Sequence, residues 1–417
     1  MWQKGGAGVK FDIFFSLCQT PAGGKMPSEA SLLNNFFSQV IAADDMGFGT
    51  AWVAESHLSS QVQKRNRHPV MPHWEGEVGL NVDIVQLAHQ IFSCTRRIEV
   101  GSAVMNILCN GGPVAHAERI AYFAALHGRT ATEQRRLHVG FAAGRFDFVN
   151  QASGIVPRDA FEATLGPLLK GKIFREAGEI FLRLLRGDTL GSDDIAPQVV
   201  SRSDCRSEQH WHEVVAAAGG PPQKTYLIRR RWAFEALKII PQAWRRALIV
   251  PVLGSHDAAL QEDLNRICPV QVFNLSFTPQ AVIEDTHRRL QRCYHPDGGP
   301  WQRHHMPRTV FVFINEKEGL SPQSRREAAQ AEAQKTLAAY WQAIDGTVDA
   351  TKLRQATNNA LVGNSDDIVR QLTARFHPDD RLMLWFDFFN NDCARVRDNM
   401  QAFMNRVAPK VVTGASP

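Results

Sequence analysis

The chain has 417 residues, which is enough for one large barrel or for two or three average domains. Hydrophobic residues make up 44% and charged residues 21%, an ordinary globular composition that excludes disorder throughout the chain. The net charge of +5 is small for this length and its charges are interspersed, so no nucleic-acid binding is expected.

The seven cysteines are scattered without a C-x-x-C pair, which argues against a disulfide framework and favours a reducing compartment. No stretch is apolar over the ~18 residues that a membrane span requires, and residues 1–8 lack the apolar run of a signal peptide. The close histidine pairs do not stand at helical spacing beside a glutamate, so no metal site is expected. The sequence therefore predicts a cytoplasmic protein without a membrane segment.

Short apolar strands alternate with longer helical patterns along the first part of the chain. Ser28 is placed to cap the first of these helices, and Gly47 is placed to end it. The strands predicted in this part are 9–15, 50–55, 98–105 and 137–142, and each is followed by a helical pattern.

Residues 187–238 break the alternation, since they are rich in Ser, Asp, Arg and Gly, and they are predicted to form one long insertion. The strands predicted after it are 247–253, 270–275, 309–315 and 382–388. Eight apolar strands, each followed by a helix, predict an α/β fold: a single (β/α)8 TIM barrel over residues 9–409, with the insertion between the fourth helix and the fifth strand. An open, doubly wound sheet is the alternative. Residues 1–8 and 410–417 are expected to be flexible termini.

The stretch Glu55-Ser56-His57-Leu58 follows the second predicted strand. Catalytic groups of such barrels project from the C-terminal ends of the strands. A histidine there serves as an acid, a base or a hydrogen-bond donor near neutral pH, which makes His57 a candidate catalytic residue. A histidine that merely fills the loop is the structural alternative.

This stretch resembles the Glu-His-His-Phe segment of the bacterial luciferase-like, flavin-dependent monooxygenases. The family's first histidine, which lies at the flavin, is Ser56 here, so only His57 carries over directly. Gly101–Val104 resembles the third-strand segment on which the flavin ring rests in the family, often with a cis peptide bond. Gly140–Gly144 resembles its fourth-strand G-x-x-x-G segment, and Arg145 is the candidate substitute for an arginine that the family often has where Ala143 stands.

Two further segments resemble phosphate contacts of the family. Arg158 matches an arginine that contacts the FMN phosphate. Gly254-Ser255-His256 precedes a predicted helix, where backbone N–H groups favour an anion, and the family uses the matching turn for phosphate. A plain N-cap at Ser255 is the alternative.

The resemblance implies a two-component oxidoreductase, a monooxygenase that uses reduced FMN (FMNH2) and O2 through a C4a-peroxyflavin to oxygenate a small-molecule or carrier-bound substrate. No G-x-G-x-x-G follows a strand, so reduced flavin is expected from a separate NAD(P)H-dependent reductase. His57 is the expected proton donor and Glu55 is expected to orient its neighbours. The cofactor-binding residues implied are Ser56, Ala103, Val104, Asn106, Arg145, Arg158, Gly254, Ser255 and His256.

The insertion 187–238 is expected to cover the mouth of the barrel as a lid. A homodimer is expected through the first helices, with contributions from Leu32, Phe36 and Phe37. Two other functions stay open: a deazaflavin-dependent hydride transfer by the same fold, and a catalytically silent flavin-binding subunit.

Overall fold

The structure is a computed structural model that describes residues 9–21, 24–67, 69, 71–346 and 349–412. The strands are β1 (Lys10–Phe15), β2 (Thr50–Val53), β3 (Glu99–Ser102), β4 (Met105–Asn106), β5 (Leu137–Ala142), β6 (Val199–Ser201), β7 (Thr225–Leu227), β8 (Ile249–Leu253), β9 (Gln271–Val272), β10 (Arg308–Ile314), β11 (Leu361–Gly363) and β12 (Arg381–Trp385). The helices are α1 (Glu29–Met46), α2 (Ser60–Gln63), α3 (Ile84–Cys94), α4 (Gly112–His127), α5 (Asp147–Ala152), α6 (Ala160–Leu165), α7 (Pro167–Arg186), α8 (Glu208–Ala218), α9 (Ala258–Asn265), α10 (Gln280–Cys293), α11 (Pro322–Ala343), α12 (Ala350–Asn359), α13 (Ser365–Arg375), α14 (Cys393–Arg406) and α15 (Ala408–Val412).

The central sheet is parallel and closes on itself. Its strands run in the order β11-β10-β12-β1-β2-β3-β5-β8-β9, with β4 continuing beside β5. The ring closes after β9, because Asn274 N donates to Pro307 O (2.8 Å) and Thr309 N donates to Asn274 O (3.1 Å). These contacts confirm the barrel and the eight predicted strands, and they exclude the open sheet. β11 pairs on the outer side of β10.

The C-terminal end of the chain differs from the prediction in one respect. Residues 410–412, which were expected to be flexible, belong to helix α15, which follows α14. Residues 1–8 and 413–417, the remainder of the predicted flexible termini, lie outside the described residues.

The insertion 187–238 is folded onto the outside of the barrel. Its strands β6 and β7 pair in antiparallel fashion, and α8 lies against α6. The backbone N–H of Arg231 donates to Glu176 of α7 (3.0 Å), while the Arg231 side chain forms a buried ion pair with Glu162 of α6 (2.6 Å). These contacts attach the insertion to the helices that follow β5.

The first helix directs apolar residues into the core of its own chain. Leu32 and Phe36, proposed as dimer contacts, are only 7% and 3% exposed, so this part of the dimer interpretation is wrong. They lie on the face of α1 that covers the barrel, where Phe36 packs edge-on against Phe15 of β1. Phe37 is half-buried, and the homodimer itself stays a prediction.

Polar groups fill the N-terminal end of the barrel interior. The indole Nε1 of Trp52 donates to Asp12 (2.7 Å), and Arg381 Nε donates to the same carboxylate (2.5 Å). Arg381 also donates to the hydroxyl of Thr50 (2.6 Å). All four residues are buried, so these hydrogen bonds are shielded from water. The network links β1, β2 and β12.

A second buried pair predicts a pH effect on stability. His138 of β5 lies 2.6 Å from Glu99 of β3, and burial lowers the pKa of His138 to about 4, helped by the charge of Arg381. The folded protein therefore resists a proton that the unfolded chain binds below its ordinary pKa of 6.5, so stability falls as the pH drops from 6.5 towards 4. We expect His138→Gln to flatten this fall in urea titrations at several pH values. The surface variant His377→Gln is the control, and an unchanged pH slope in His138→Gln would contradict the assignment.

Candidate active site

A cavity of about 630 Å³ lies at the C-terminal ends of the barrel strands. Its wall includes residues that end or follow β1, β2, β3, β5, β8, β10 and β12. This volume is usual for a small-molecule site, and this end of a parallel barrel is where catalytic groups converge.

One wall of the cavity, which we call the small-residue wall, carries no side chain larger than valine. It consists of Ala54, Ala103, Val104, Ala142, Ala143, Gly144 and Gly254. The peptide bond between Ala103 and Val104 is cis, as the resemblance implied. A Cβ on Gly254 would lie 3.2 Å from Ala142 Cβ and 3.3 Å from Val104 Cγ2, so the wall is closely packed as well as smooth.

Gly140 lies behind the small-residue wall and sets the spacing between β3 and β5. A Cβ there would stand 2.0 Å from the carbonyl oxygen of Ser102 and 2.8 Å from Val104 Cγ1. We therefore expect Gly140→Ala to lower the free energy of unfolding by about 1–3 kcal/mol, measured by urea denaturation. Gly171→Ala, on α7 with no atom within 4 Å of the new Cβ, is the control and is expected to add about 0.5–1 kcal/mol. Equal losses in the two variants would contradict the packing argument.

The structure brings Glu55, Ser56 and His57 together on the cavity. His57 Nε2 lies 3.1 Å from Glu55 Oε1, and the two side chains are 13% and 3% exposed. The second oxygen of Glu55 accepts the N–H of Ile84 at the start of α3 (3.4 Å). Since the carboxylate accepts Nε2–H, neutral His57 carries its proton on Nε2 and leaves Nδ1 as an acceptor. Asn110 Nδ2 lies 3.4 Å from Nδ1 and 3.5 Å from Nε2.

Asn106 lines the cavity, but its amide also has internal partners. It donates to Asn150 Oδ1 (2.8 Å) and to Cys109 Sγ (3.0 Å), and it accepts the N–H of Leu108 (3.1 Å). These bonds hold the turn after β4, so Asn106 has a structural role whether or not it contacts a ligand.

Arg145 lines the cavity and its side chain is exposed at the mouth. The guanidinium carbon lies 5.5 Å from the ring centre of Phe146. Burial raises the pKa of Tyr340, and a hydrogen bond and the charge from Arg145 oppose that rise. Arg145 thus places a positive charge at the mouth of the cavity, next to solvent.

Arg158 is not among the described residues that line the cavity. It is exposed, and its guanidinium donates to the carbonyl of Arg230 in the insertion (2.7 Å). The structure therefore directs Arg158 towards residues 187–238, while Arg145 lies at the mouth.

Ser255 and His256 follow Gly254 but do not line the cavity in the described part of the chain. Helix α9 is capped by Asp257, whose carboxylate accepts the N–H of Leu260 (2.7 Å), so the alternative of a Ser255 N-cap is wrong. Ser255 Oγ instead accepts the N–H of Asp257 (3.2 Å). Because a carboxylate occupies this helix end, the site is less favourable for phosphate than the sequence suggested.

A group of aromatic side chains also lines the cavity, which the sequence did not predict, and we call it the aromatic wall. It consists of Phe14, Trp74, Phe277, Phe311, Tyr340, Trp341, Trp385, Phe388 and Phe389. The run W-F-D-F-F at 385–389 and the pair Tyr340-Trp341 were the available signals, but neither has a helical or strand period that marks a site.

The cover of the cavity comes from the end of α11 and from α12. Tyr340, Trp341 and Ile344 line it from the first segment, and Lys352 and Leu353 from the second. None of the described cavity-lining residues belongs to 187–238, so the cavity does not support a lid role for the insertion.

The described residues contain neither a metal-binding cluster nor a helix that could span a membrane. No cluster of three or more His, Cys, Asp or Glu side chains suited to a metal ion occurs among them. None of their helices combines the length and apolar character needed to cross a bilayer. The seven cysteines are all free thiols.

No protein-family model and no curated protein sequence matches the chain. Solved structures with the same fold include the monooxygenase RslO1 from Streptomyces bottropensis, at 15% identity and a TM-score of 0.65 over 96% of this chain and 99% of that one. The oxygenating constituent of 3,6-diketocamphane monooxygenase from Pseudomonas putida, in complex with FMN, has 14% identity and a TM-score of 0.58 over 97% and 99%. An F420-dependent secondary alcohol dehydrogenase has 10% identity and a TM-score of 0.52 over 97% and 99%. The chain therefore has the fold that its sequence resemblance implied, that of the luciferase-like monooxygenases.

Proposed function

We propose that the protein is a flavin-dependent monooxygenase that uses reduced FMN and O2. The observation that carries this proposal is the pairing, in one cavity, of a smooth small-residue wall with the Glu55–His57 pair. A wall without protruding side chains fits the flat face of a flavin ring, and the nearby guanidinium of Arg145 fits its phosphate. The similar structures named as monooxygenases, one of them holding FMN, support the assignment.

Bound FMN in its reduced form supplies the electrons that activate O2. The chain's own residues have three tasks. The small-residue wall positions the ring, the aromatic wall and the residues of α11 and α12 exclude water, and Glu55 holds His57 at the cavity, where it exchanges a proton with the substrate. Ser56 is proposed to contact the ring edge, since it lies between these two residues on the cavity.

We also propose a separate NAD(P)H-dependent flavin reductase as the partner. The sequence has no G-x-G-x-x-G after a strand, so it has no dinucleotide site of that type. The similar diketocamphane protein is described as an oxygenating constituent, which implies a second component in that system.

The test mixes protein loaded anaerobically with FMNH2 against oxygenated buffer and follows the return of the visible absorbance of oxidised flavin. We expect the bound FMNH2 to be reoxidised more slowly than free FMNH2, because the cavity excludes water. Reoxidation at the free rate by protein that demonstrably holds FMNH2 would contradict the proposal.

His57→Ala in the same experiment is expected to bring reoxidation close to the rate of free FMNH2. The substitution removes the proton-exchanging group and opens the wall of the cavity to water, since the His57 side chain is only 13% exposed. His377→Ala, on the surface, is the matched control. An unchanged rate in His57→Ala would remove His57 from the reacting site.

The structural likeness to an F420-dependent dehydrogenase supports one alternative, a deazaflavin-dependent hydride transfer on the same cavity. Titrations with reduced FMN and reduced F420 separate the two. Binding of reduced F420 without binding of FMNH2 would favour the alternative.

A further inference from the structure

The rings of the aromatic wall form one continuous set of contacts. Phe388 is the hub, with ring centroids 4.3 Å from Phe311, 4.7 Å from Trp385 and 4.8 Å from Tyr340. From Tyr340 the contacts continue to Trp341 at 4.8 Å. The angles between the ring planes run from 39° to 79°, so the rings pack against one another in tilted and edge-on contacts.

The aromatic wall is assembled from separate parts of the chain. Phe311 lies in β10, Tyr340 at the end of α11, and Phe388 after β12. Trp74 reaches it from the loop before α3, where its ring lies 5.4 Å from Phe389. Aromatic side chains from four separate segments of the chain thus meet at one cavity.

The charged and proton-exchanging groups of the cavity come from other segments of the chain, and one of them, Arg145, hydrogen-bonds to Tyr340 of the aromatic wall. Glu55 and His57 come from the loop after β2, and Arg145 from the loop after β5. Lys352 and Asp349 are exposed at the outer rim, where Lys352 lies 5.8 Å from the ring centre of Phe277. A ligand in the cavity therefore meets the rings of the aromatic wall and the hydrogen-bonding pair of Glu55 and His57.

We propose that the substrate is a flat, fused-ring aromatic molecule with a hydroxyl group on its edge. This deepens the proposed function and rests on it, since it assigns the small-residue wall to the flavin. Contacts between aromatic rings add to the affinity beyond the area they bury, and a saturated molecule of the same skeleton does not gain this. The hydroxyl donates to Nδ1 of His57 in place of the long contact from Asn110 Nδ2 (3.4 Å), since Glu55 accepts from Nε2.

The test compares 1-naphthol with decahydro-1-naphthol by titration calorimetry. The two probes share one carbon skeleton and one hydroxyl, and they differ in aromaticity and thickness. With two ring contacts, we expect 1-naphthol to bind roughly tenfold more tightly to the protein saturated with FMN. Equal or tighter binding of the saturated alcohol would overturn the proposal.

Two variants test the wall directly. Trp341→Leu and Phe389→Leu keep an apolar surface but remove a ring, so each is expected to weaken 1-naphthol binding roughly threefold to tenfold and to leave decahydro-1-naphthol binding unchanged. Leu353→Met, on the same cover without a ring, is the matched control. Variants that retain the full preference for 1-naphthol would overturn the proposal, and the comparison of the two probes on the unaltered protein does not depend on the variants folding.

In the titrations of the FMN-saturated protein, displacement of FMN by 1-naphthol would overturn the assignment of the aromatic wall to the substrate. The same titrations repeated without FMN, together with a titration of FMN itself, separate this proposal from the proposed function. If FMN fails to bind while the preference for 1-naphthol persists, the proposed function fails and the aromatic ligand class stands.

Discussion

Asp12→Ala is expected to lower the free energy of unfolding by about 3–5 kcal/mol, a large part of the roughly 5–15 kcal/mol of a typical domain. Asp12 and Arg381 form an ion pair whose side chains are 2% and 8% exposed, and Trp52 donates to the same carboxylate. Removing the carboxylate leaves a buried guanidinium without its counter-charge and an indole N–H without an acceptor. The shift of the urea or guanidinium midpoint measures the loss.

Two further variants serve as controls for this prediction. Asp285→Ala removes one partner of an exposed ion pair with Arg288 and is expected to change stability by at most about 0.5 kcal/mol. The double variant Asp12→Leu with Arg381→Met removes both buried charges and is expected to recover most of the loss. A loss in Asp12→Ala no larger than that in Asp285→Ala would show that the buried network contributes little.

Arg145→Ala is expected to weaken FMN binding roughly 10-fold to 100-fold, because hydrogen bonds to a charged group contribute about 1.5–3 kcal/mol. Arg145 lines the cavity at its mouth, whereas Arg158 donates to the carbonyl of Arg230 outside it. Quenching of flavin fluorescence during titration measures the affinity.

Arg158→Ala is the matched control, with the same loss of one arginine. The FMN affinity of this variant is expected to stay within about twofold of that of the unaltered protein, because an exposed surface charge contributes little. The resemblance to the family implies the opposite ranking, with Arg158 at the phosphate. A larger loss in Arg158→Ala than in Arg145→Ala would therefore restore that assignment and exclude ours.

The sequence by itself determined the eight barrel strands and the helices between them. Buried parallel strands are continuous apolar runs, and helices repeat apolar residues every three to four positions, so both signals are local. It also placed Glu55-Ser56-His57 at the mouth, because a short motif that follows a barrel strand stays at the end of that strand.

Only the tertiary structure decided which distant residues share the cavity. The rings at positions 74, 311, 340 and 388 are separated by long stretches of sequence and meet because β10, β12, β1 and β2 are neighbours in the parallel sheet. The direction of Arg158 towards the insertion depends on its hydrogen bond to the carbonyl of Arg230 in the 187–238 segment. Local periodicity describes how one element folds, while the composition of a cavity depends on which elements the closed barrel makes neighbours.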